Sequence, residues 1–246
     1  MKIYLKSFII LLLFTIVFSL HSQGAAKKLV VGTSAVYPPF AFMKQGKIVG
    51  FDIDLINTIA QNLGYELDIK DIEFKDLFHS LENGDIDIIV AAITVTQERM
   101  KKFRFSGRYY FPFHSVIHRK DNNIYTVNDL DGKIVGVLAG SSMEDFLVNI
   151  LSKNKKIKIV KFTDNQFMLE SLRKKEIDAI LSEDADAKLA DKSYEEISYF
   201  LIRTPRPDGY AIVFRGNSEL ENSFNDELVS LKASAQLEAL KEKWGL

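Results

Sequence analysis

The sequence predicts an α/β fold of two similar lobes, each a mostly parallel sheet flanked by helices, joined by two hinge crossings. Three observations carry this prediction. Short apolar runs alternate with amphipathic stretches, which implies parallel strands with helices between them. Much of that order then repeats in the second half of the chain. A long amphipathic tail follows the last apolar run.

The elements follow in order. Lys2 and Lys6 precede an apolar run from Phe8 to Leu20, and small and polar residues follow from His21 to Ala26. This is the layout of a secretory signal peptide, expected over 1–25 with a cut near Ser22 to Ala26. A retained anchor is the alternative, but the run is shorter than the ~20 residues that a spanning helix needs. Val30-Val31-Gly32 reads as a buried strand. Asp52 opens a helix with Leu55, Ile56, Ile59 and Leu63 on one face and Gly64 as its stop. A strand near Glu66–Ile69, a short helix ended by Gly84 and a strand over 86–93 complete the first unit.

Lys133–Leu138 starts the series again. Ser141 and Glu144 have capping-box spacing at the head of the next helix. A strand over 157–160 and a helix over 167–172 follow. The likeness is sharpest between Leu81–Ile89 and Leu172–Ile180, where each segment ends a helix, turns and enters a strand through Ile-Asp. Gly209–Phe214 reads as a late strand. The tail from Leu220 to Trp244 is expected to pack back on the first lobe. The expected domains are therefore 26–112 with 209–246 as lobe 1 and 113–208 as lobe 2, with crossings near Tyr109–Phe113 and Pro205–Gly209.

Composition narrows the function. The chain has 32 Lys and Arg against 33 Asp and Glu, and no cysteine. Without Lys2 and Lys6 the mature protein is mildly acidic. Near-neutral charge points to neither nucleic acid nor an anionic membrane. Neither a disulfide nor a lipid-anchor cysteine is available, so a free periplasmic protein is expected. His21, His79, His114 and His118 have no metal-ligand spacing. No phosphate-cradling loop or nucleophile elbow occurs, and no cofactor is expected.

Ligands on such sheets bind beyond the carboxyl ends of the strands, which selects four loops. In Ala92–Arg99, Thr96 can cap a turn that carries Arg99, whose planar fork of donors matches a carboxylate. Thr94 adds a hydroxyl and an N–H. The alternative is that Arg99 is a surface helix residue and both threonines are caps. Ala139–Ser142 opens a helix whose free N–H groups favour an anion, or whose cap merely faces solvent. Glu183, beyond Ser182, can hold an ammonium group or serve its own helix dipole. Tyr37 and Phe74 are candidate aromatic walls, although most aromatics in such a chain are core. Ser34 offers a hydroxyl or is a turn residue.

Several stretches together resemble the polar amino-acid solute-binding family, the periplasmic components of amino-acid ABC importers. They are Val31–Phe40, Val49–Leu55, Ile93–Arg99, Phe105-Ser106 with Tyr109-Tyr110, Asp129–Lys133 and Glu242–Gly245. The resemblance runs from about Lys28 to Leu246. It implies a two-lobed fold that closes on a small amino acid and docks on a cognate ABC permease, with a monomer sufficient. It implies that Arg99 binds the α-carboxylate, helped by N–H groups at Thr94 and Ser142 with Ser141 nearby. Glu183, Thr94 and the Ala92 carbonyl would hold the α-ammonium, and Tyr37 and Phe74 would sandwich the side chain.

Two departures bear on the ligand. Ser34 stands where many relatives carry an acid, and Glu183 is one methylene longer than the usual aspartate. A polar or cationic amino acid is the expected ligand. The same fold also resembles cyclohexadienyl dehydratase, in which Glu183 would act as a general acid. A fused receptor is not expected, because no span or signalling domain follows the tail.

Overall fold

The computed structural model describes residues 27–203 and 209–246. The expected leader, 1–25, lies outside them, and so does the second expected crossing apart from Gly209. Two five-stranded sheets form the body of the molecule. The first holds β1 (Lys27–Thr33), β5 (Tyr65–Asp71), β6 (Ile88–Ile89), β7 (Phe103–Phe105) and β13 (Val213–Arg215), in the order β5-β1-β6-β13-β7. The second holds β8 (His114–Arg119), β9 (Ile134–Leu138), β10 (Lys158–Phe162), β11 (Ala179–Glu183) and β12 (Ile197–Ile202), in the order β10-β9-β11-β8-β12. A small antiparallel sheet of β2 (Val36–Tyr37), β3 (Ala41–Lys44) and β4 (Lys47–Val49) stands beside the first.

The two-lobed α/β architecture is as expected, and each sheet is mostly parallel, with one strand running against the other four. β5, β1 and β6 run parallel, as do β10, β9 and β11, and the other two strands of each sheet pair antiparallel. The reversed strands are β13, within the expected late strand, and β8, which the sequence reading missed. β8 reads His-Ser-Val-Ile-His-Arg and is buried throughout. Its polar residues break the apolar run that marks a strand in sequence.

Both faces of each sheet are covered, which is why the central parallel strands β6 and β11 are buried throughout, while β5 and β10 at the edges are only partly buried. In the first sheet Leu29, Val31, Ile88 and Phe214 face the helices Phe51–Leu63 and Leu220–Ala233. Val30, Ile89 and Val213 face the helix Leu77–Asn83 on the other side. The tail contributes Phe224, Leu228, Leu231 and Leu237 to the first of these cores. Gly64 and Gly84 end their helices in the left-handed region, at φ 75° and 84°. Among the described residues no helix is long and apolar enough to cross a membrane.

The Ile-Asp repeat has the same structural role in both halves. Asp87 accepts the Val30 N–H at 2.9 Å and returns its own N–H to the Val30 carbonyl at 2.8 Å. Asp178 does the same with Ile134, at 2.8 Å in each direction. In each sheet a carboxylate thus pins the strand leaving a helix against the first strand of its unit.

Segment 106–113 leads from the first sheet into the second. Tyr109 and Tyr110 there pair with Tyr210 on the return segment, with Tyr109 N–H on the Tyr210 carbonyl at 2.9 Å and Tyr210 N–H on the Tyr110 carbonyl at 2.8 Å. The carboxyl ends of β1, β6, β9 and β11 all carry loops toward the space beside this crossing.

Candidate ligand-binding site

The loop beyond β6 starts with an unusual backbone. Ala92 has φ 50°, a left-handed conformation that costs a residue with a Cβ roughly 1–2 kcal/mol. The Asp52 carboxylate holds it there by accepting the Ala92 N–H at 2.6 Å. Asp52 is buried in the first turn of the helix Phe51–Leu63. Burial pushes its pKa up to about 7, against the lowering effect of that N–H.

Thr96 caps the short helix Gln97–Met100 by accepting the Arg99 N–H at 3.2 Å. The Arg99 side chain turns back toward the loop. Its Nη1 donates to the Thr94 carbonyl at 2.8 Å, and its Nη2 crosses to the Gly140 carbonyl of the second unit at 2.9 Å. The Phe78 ring lies 4.8 Å from the guanidinium carbon, within cation–π range. Burial lowers the Arg99 pKa to about 10, with Asp145 and Glu183 opposing, so the group stays cationic at neutral pH.

Opposite this loop, Ser141 caps the helix Ser142–Phe146 by accepting the Glu144 N–H at 3.2 Å. Glu144 reaches back to the Gly140 N–H at 2.8 Å, one residue before the position a capping box would use. Ser142 donates its hydroxyl to Thr94 Oγ1 at 3.0 Å.

Glu183 ends β11 and is 8% exposed. Its Oε2 accepts from the Tyr37 hydroxyl at 2.9 Å and from the Tyr210 hydroxyl. Burial pushes Glu183 up to about 7, although both hydroxyls and Arg99 favour its charged form. Burial beside Glu183 raises the Tyr37 and Tyr210 hydroxyls well above their usual values, so both remain proton donors.

These groups meet at one cavity of about 40 Å³. Ser34, Tyr37, Phe74, Ala92 and Thr94 line it from the first unit, and Ser141, Ser142 and Glu183 from the second. Arg99 is not among the lining residues; it donates to the carbonyl of Thr94, which is one of them, and to the carbonyl of Gly140 in the second unit. The arrangement sets a half-buried cation at the Thr94 loop and a buried carboxylate on the wall of the same small space. It can neutralise a molecule that carries both charges on neighbouring atoms.

Sequence reasoning missed four residues here. Tyr210 hides in what reads as an apolar strand. Asp52 reads only as the opening of a helix. Asp186 and Asn165 line the cavity too, and the spacing of Asp186 from Glu183 was the one available signal, because residues three apart share a helix side.

Residues 29–246 match the family model described as bacterial extracellular solute-binding proteins, family 3. The chain belongs to that family. The arginine-binding extracellular protein ArtP of Bacillus subtilis (strain 168) is 35% identical over 225 residues, covering 91% of this chain and 88% of ArtP. The solved structure of an ancestral arginine-binding protein bound to arginine matches with a TM-score of 0.83 at 33% identity, over 90% of this chain and 99% of that one. The ancestral amino acid-binding protein AncCDT-1, a precursor of cyclohexadienyl dehydratase, matches with a TM-score of 0.80 at 29% identity, over 88% and 95%. In this family-3 chain the sites at the ends of β1, β6, β9 and β11 converge as the strand-end rule for α/β sheets requires.

Proposed function

We propose that this protein captures a free L-amino acid with a polar or cationic side chain between its two lobes and hands it to an ABC permease. The observation that carries this reading is that Glu183 of the second unit and Thr94 of the first line one cavity, while Arg99 bonds the Thr94 carbonyl and bridges to Gly140 of the second unit. Arg99 takes the α-carboxylate, with N–H groups of Thr94 and Ser142 beside it and Ser141 nearby. Glu183, Thr94 and the Ala92 carbonyl take the α-ammonium. Tyr37 and Phe74 flank the side chain, and Ser34 adds a hydroxyl.

The two ligand charges each cost several kcal/mol to desolvate unless paired. Only the closed arrangement of the lobes pairs both, so ligand shifts the population toward closure. The lobes are 26–112 with 209–246 and 113–208, and the protein works as a monomer in the periplasm after removal of a leader over 1–25. The arginine-binding relatives support a cationic ligand.

A thermal-shift screen against the common L-amino acids tests the reading, since a ligand that binds only the folded state raises its melting temperature. One or a few cationic or polar amino acids should raise it. A flat response to all of them would end the proposal.

One observation favours a second reading. A carboxyl raised by burial to about 7, as Glu183 is, suits a general acid, and AncCDT-1 is a structural neighbour. Glu183 would then protonate a departing hydroxyl as water, while the electron pair of a carboxylate leaving as carbon dioxide completes the new double bond. Against this, Glu183 accepts hydrogen bonds from two tyrosine hydroxyls, which hold it as an acceptor. Formation of phenylpyruvate from prephenate would establish the enzyme instead.

A further inference from the structure

The clamp of Arg99 and Glu183 leaves one carboxylate in the site without a counter-ion. Asp186 follows Glu183 by three residues, on the same side of the helix Asp184–Ser193, and both line the cavity of about 40 Å³. Asp184, between them, faces elsewhere. Its carboxylate takes Lys188 Nζ at 2.6 Å and the Phe113 N–H at 3.0 Å. Asp186 takes only the Ser182 hydroxyl and the Asn165 amide, the latter at 3.3 Å, and both bonds fall on Oδ2. Among the described residues no lysine, arginine or histidine forms an ion pair with it. Asn165 Oδ1, beside it, is buried and accepts no hydrogen bond.

Charge counting then says what the ligand must bring. Arg99 cancels the ligand carboxylate, Glu183 cancels the ligand ammonium, and Asp186 is left over. Asp186 is half-buried in the free chain, and once a ligand displaces the water beside it, a carboxylate without a cation is disfavoured. A neutral side chain leaves it so, and a cationic one corrects it.

The space fits that conclusion. A larger cavity of about 370 Å³ shares Val36, Asn165 and Asp186 with the clamp cavity. Its other walls include the apolar side chains of Phe42, Met168 and Leu169. Asp186 and Asn165 thus stand between the two cavities, where a side chain that extends past the clamp meets them.

We infer that Asp186, together with Asn165, is the specificity-determining anchor for a cationic side chain on the bound amino acid. A guanidinium fits best, because its planar fork of donors can serve the free oxygens of both residues at once. This deepens the amino-acid-binding reading and rests on it.

Calorimetry with L-arginine and its neutral near-isostere L-citrulline tests the inference at about pH 8, where carboxylates raised to neutrality are ionised. The wild type should prefer L-arginine by roughly 30-fold or more, the scale of a buried charge pair losing one partner. Asp186→Asn should reduce that ratio to near unity. An undiminished ratio in Asp186→Asn, or equal affinities in the wild type, overturns the inference and leaves amino-acid binding intact. A wild type that binds neither these two nor any other amino acid overturns both. Should Asp186→Asn not fold, Asn165→Asp supplies the second arm. An added carboxylate should widen the preference for L-arginine, and an unchanged ratio overturns the inference.

Discussion

Replacing Arg99 separates ligand binding from stability. In the free chain the guanidinium is a burden as well as a tool. Burial lowers its pKa from 12.5 to about 10, and each unit corresponds to 1.36 kcal/mol. The charged form is thus disfavoured by about 3 kcal/mol, which its bonds to the Thr94 and Gly140 carbonyls and the Phe78 ring partly offset. Arg99→Ala should therefore leave the melting temperature of the free protein nearly unchanged. Binding should respond quite differently. A ligand carboxylate brought into the same place without a partner costs about 3–5 kcal/mol, which is roughly a hundredfold to several thousandfold in Kd. Arg99→Lys keeps the charge but loses the fork, so one charged hydrogen bond is forfeited, at about 1.5–3 kcal/mol. The assay is calorimetry with the best ligand from the thermal-shift screen, run beside thermal unfolding of each free variant. The reasoning fails if Arg99→Ala binds within a few-fold of wild type. It fails equally if the binding loss is matched by a collapse of the free protein's stability.

Other perturbations probe the rest of the site. Burial pushes Asp52, Glu183 and Asp186 each up to about 7, so between roughly pH 4 and 7 the folded chain holds protons that the unfolded chain has released. Their stabilising contribution is full below that window and lost as pH climbs through it; urea titrations of the free protein showing stability rising from pH 5 to 8 would contradict this. Asp52→Asn should weaken ligand binding without touching the ligand, because the carboxylate holds Ala92 at φ 50°; Ala92→Gly in the same background should restore affinity, since glycine needs no such support. Phe74→Ala should weaken binding by roughly 0.5–1.5 kcal/mol or more, read as Kd by calorimetry, and an unchanged Kd would remove Phe74 from the side-chain wall. Gly50→Ala should lower the melting temperature, since φ is 141° and a Cβ would sit 2.0 Å from the Phe40 carbonyl oxygen.

Much of this was readable in the sequence because it depends on local patterns. The helix stops at Gly64 and Gly84 follow from backbone conformation alone. The twin Ile-Asp segments announced two related units because each aspartate makes the same pair of bonds at the start of its sheet. The four loops were selected by a rule about strand ends, and they carry Arg99 and Glu183. What stayed hidden depends on distant parts of the chain. β8 is a strand because β11 and β12 flank it, not because of its own polar sequence. Ala92 shows no preference for a left-handed backbone, so only Asp52, forty positions earlier, reveals that the turn is held. Tyr210 reads as core and is 0% exposed, yet its hydroxyl reaches Glu183. Asp186 looks like an acid suited to a helix start until the structure shows that its bonds come from Ser182 and Asn165.

The hydrogen bonds between the two units also bear on how sharply the protein would respond to its ligand. Tyr37 and Tyr210 to Glu183, Ser142 to Thr94 and Arg99 to Gly140 join them directly. Each is worth about 1 kcal/mol net, somewhat more where a charge takes part, and Glu183 and Arg99 both pay a desolvation cost to be there. These opposing terms set the balance between an open and a closed arrangement. Moving such an equilibrium from almost fully open to almost fully closed takes about 5.5 kcal/mol of differential affinity. One neutral hydrogen bond cannot provide that. A carboxylate on Arg99 and an ammonium on Glu183 can, because each relieves a buried charge that the protein alone leaves poorly matched. A ligand missing either charge should then lose more than the bond it lacks. An amino-acid amide or an N-acetyl amino acid should bind the open form weakly and fail to close it, and small-angle scattering would read this as a radius that does not shrink.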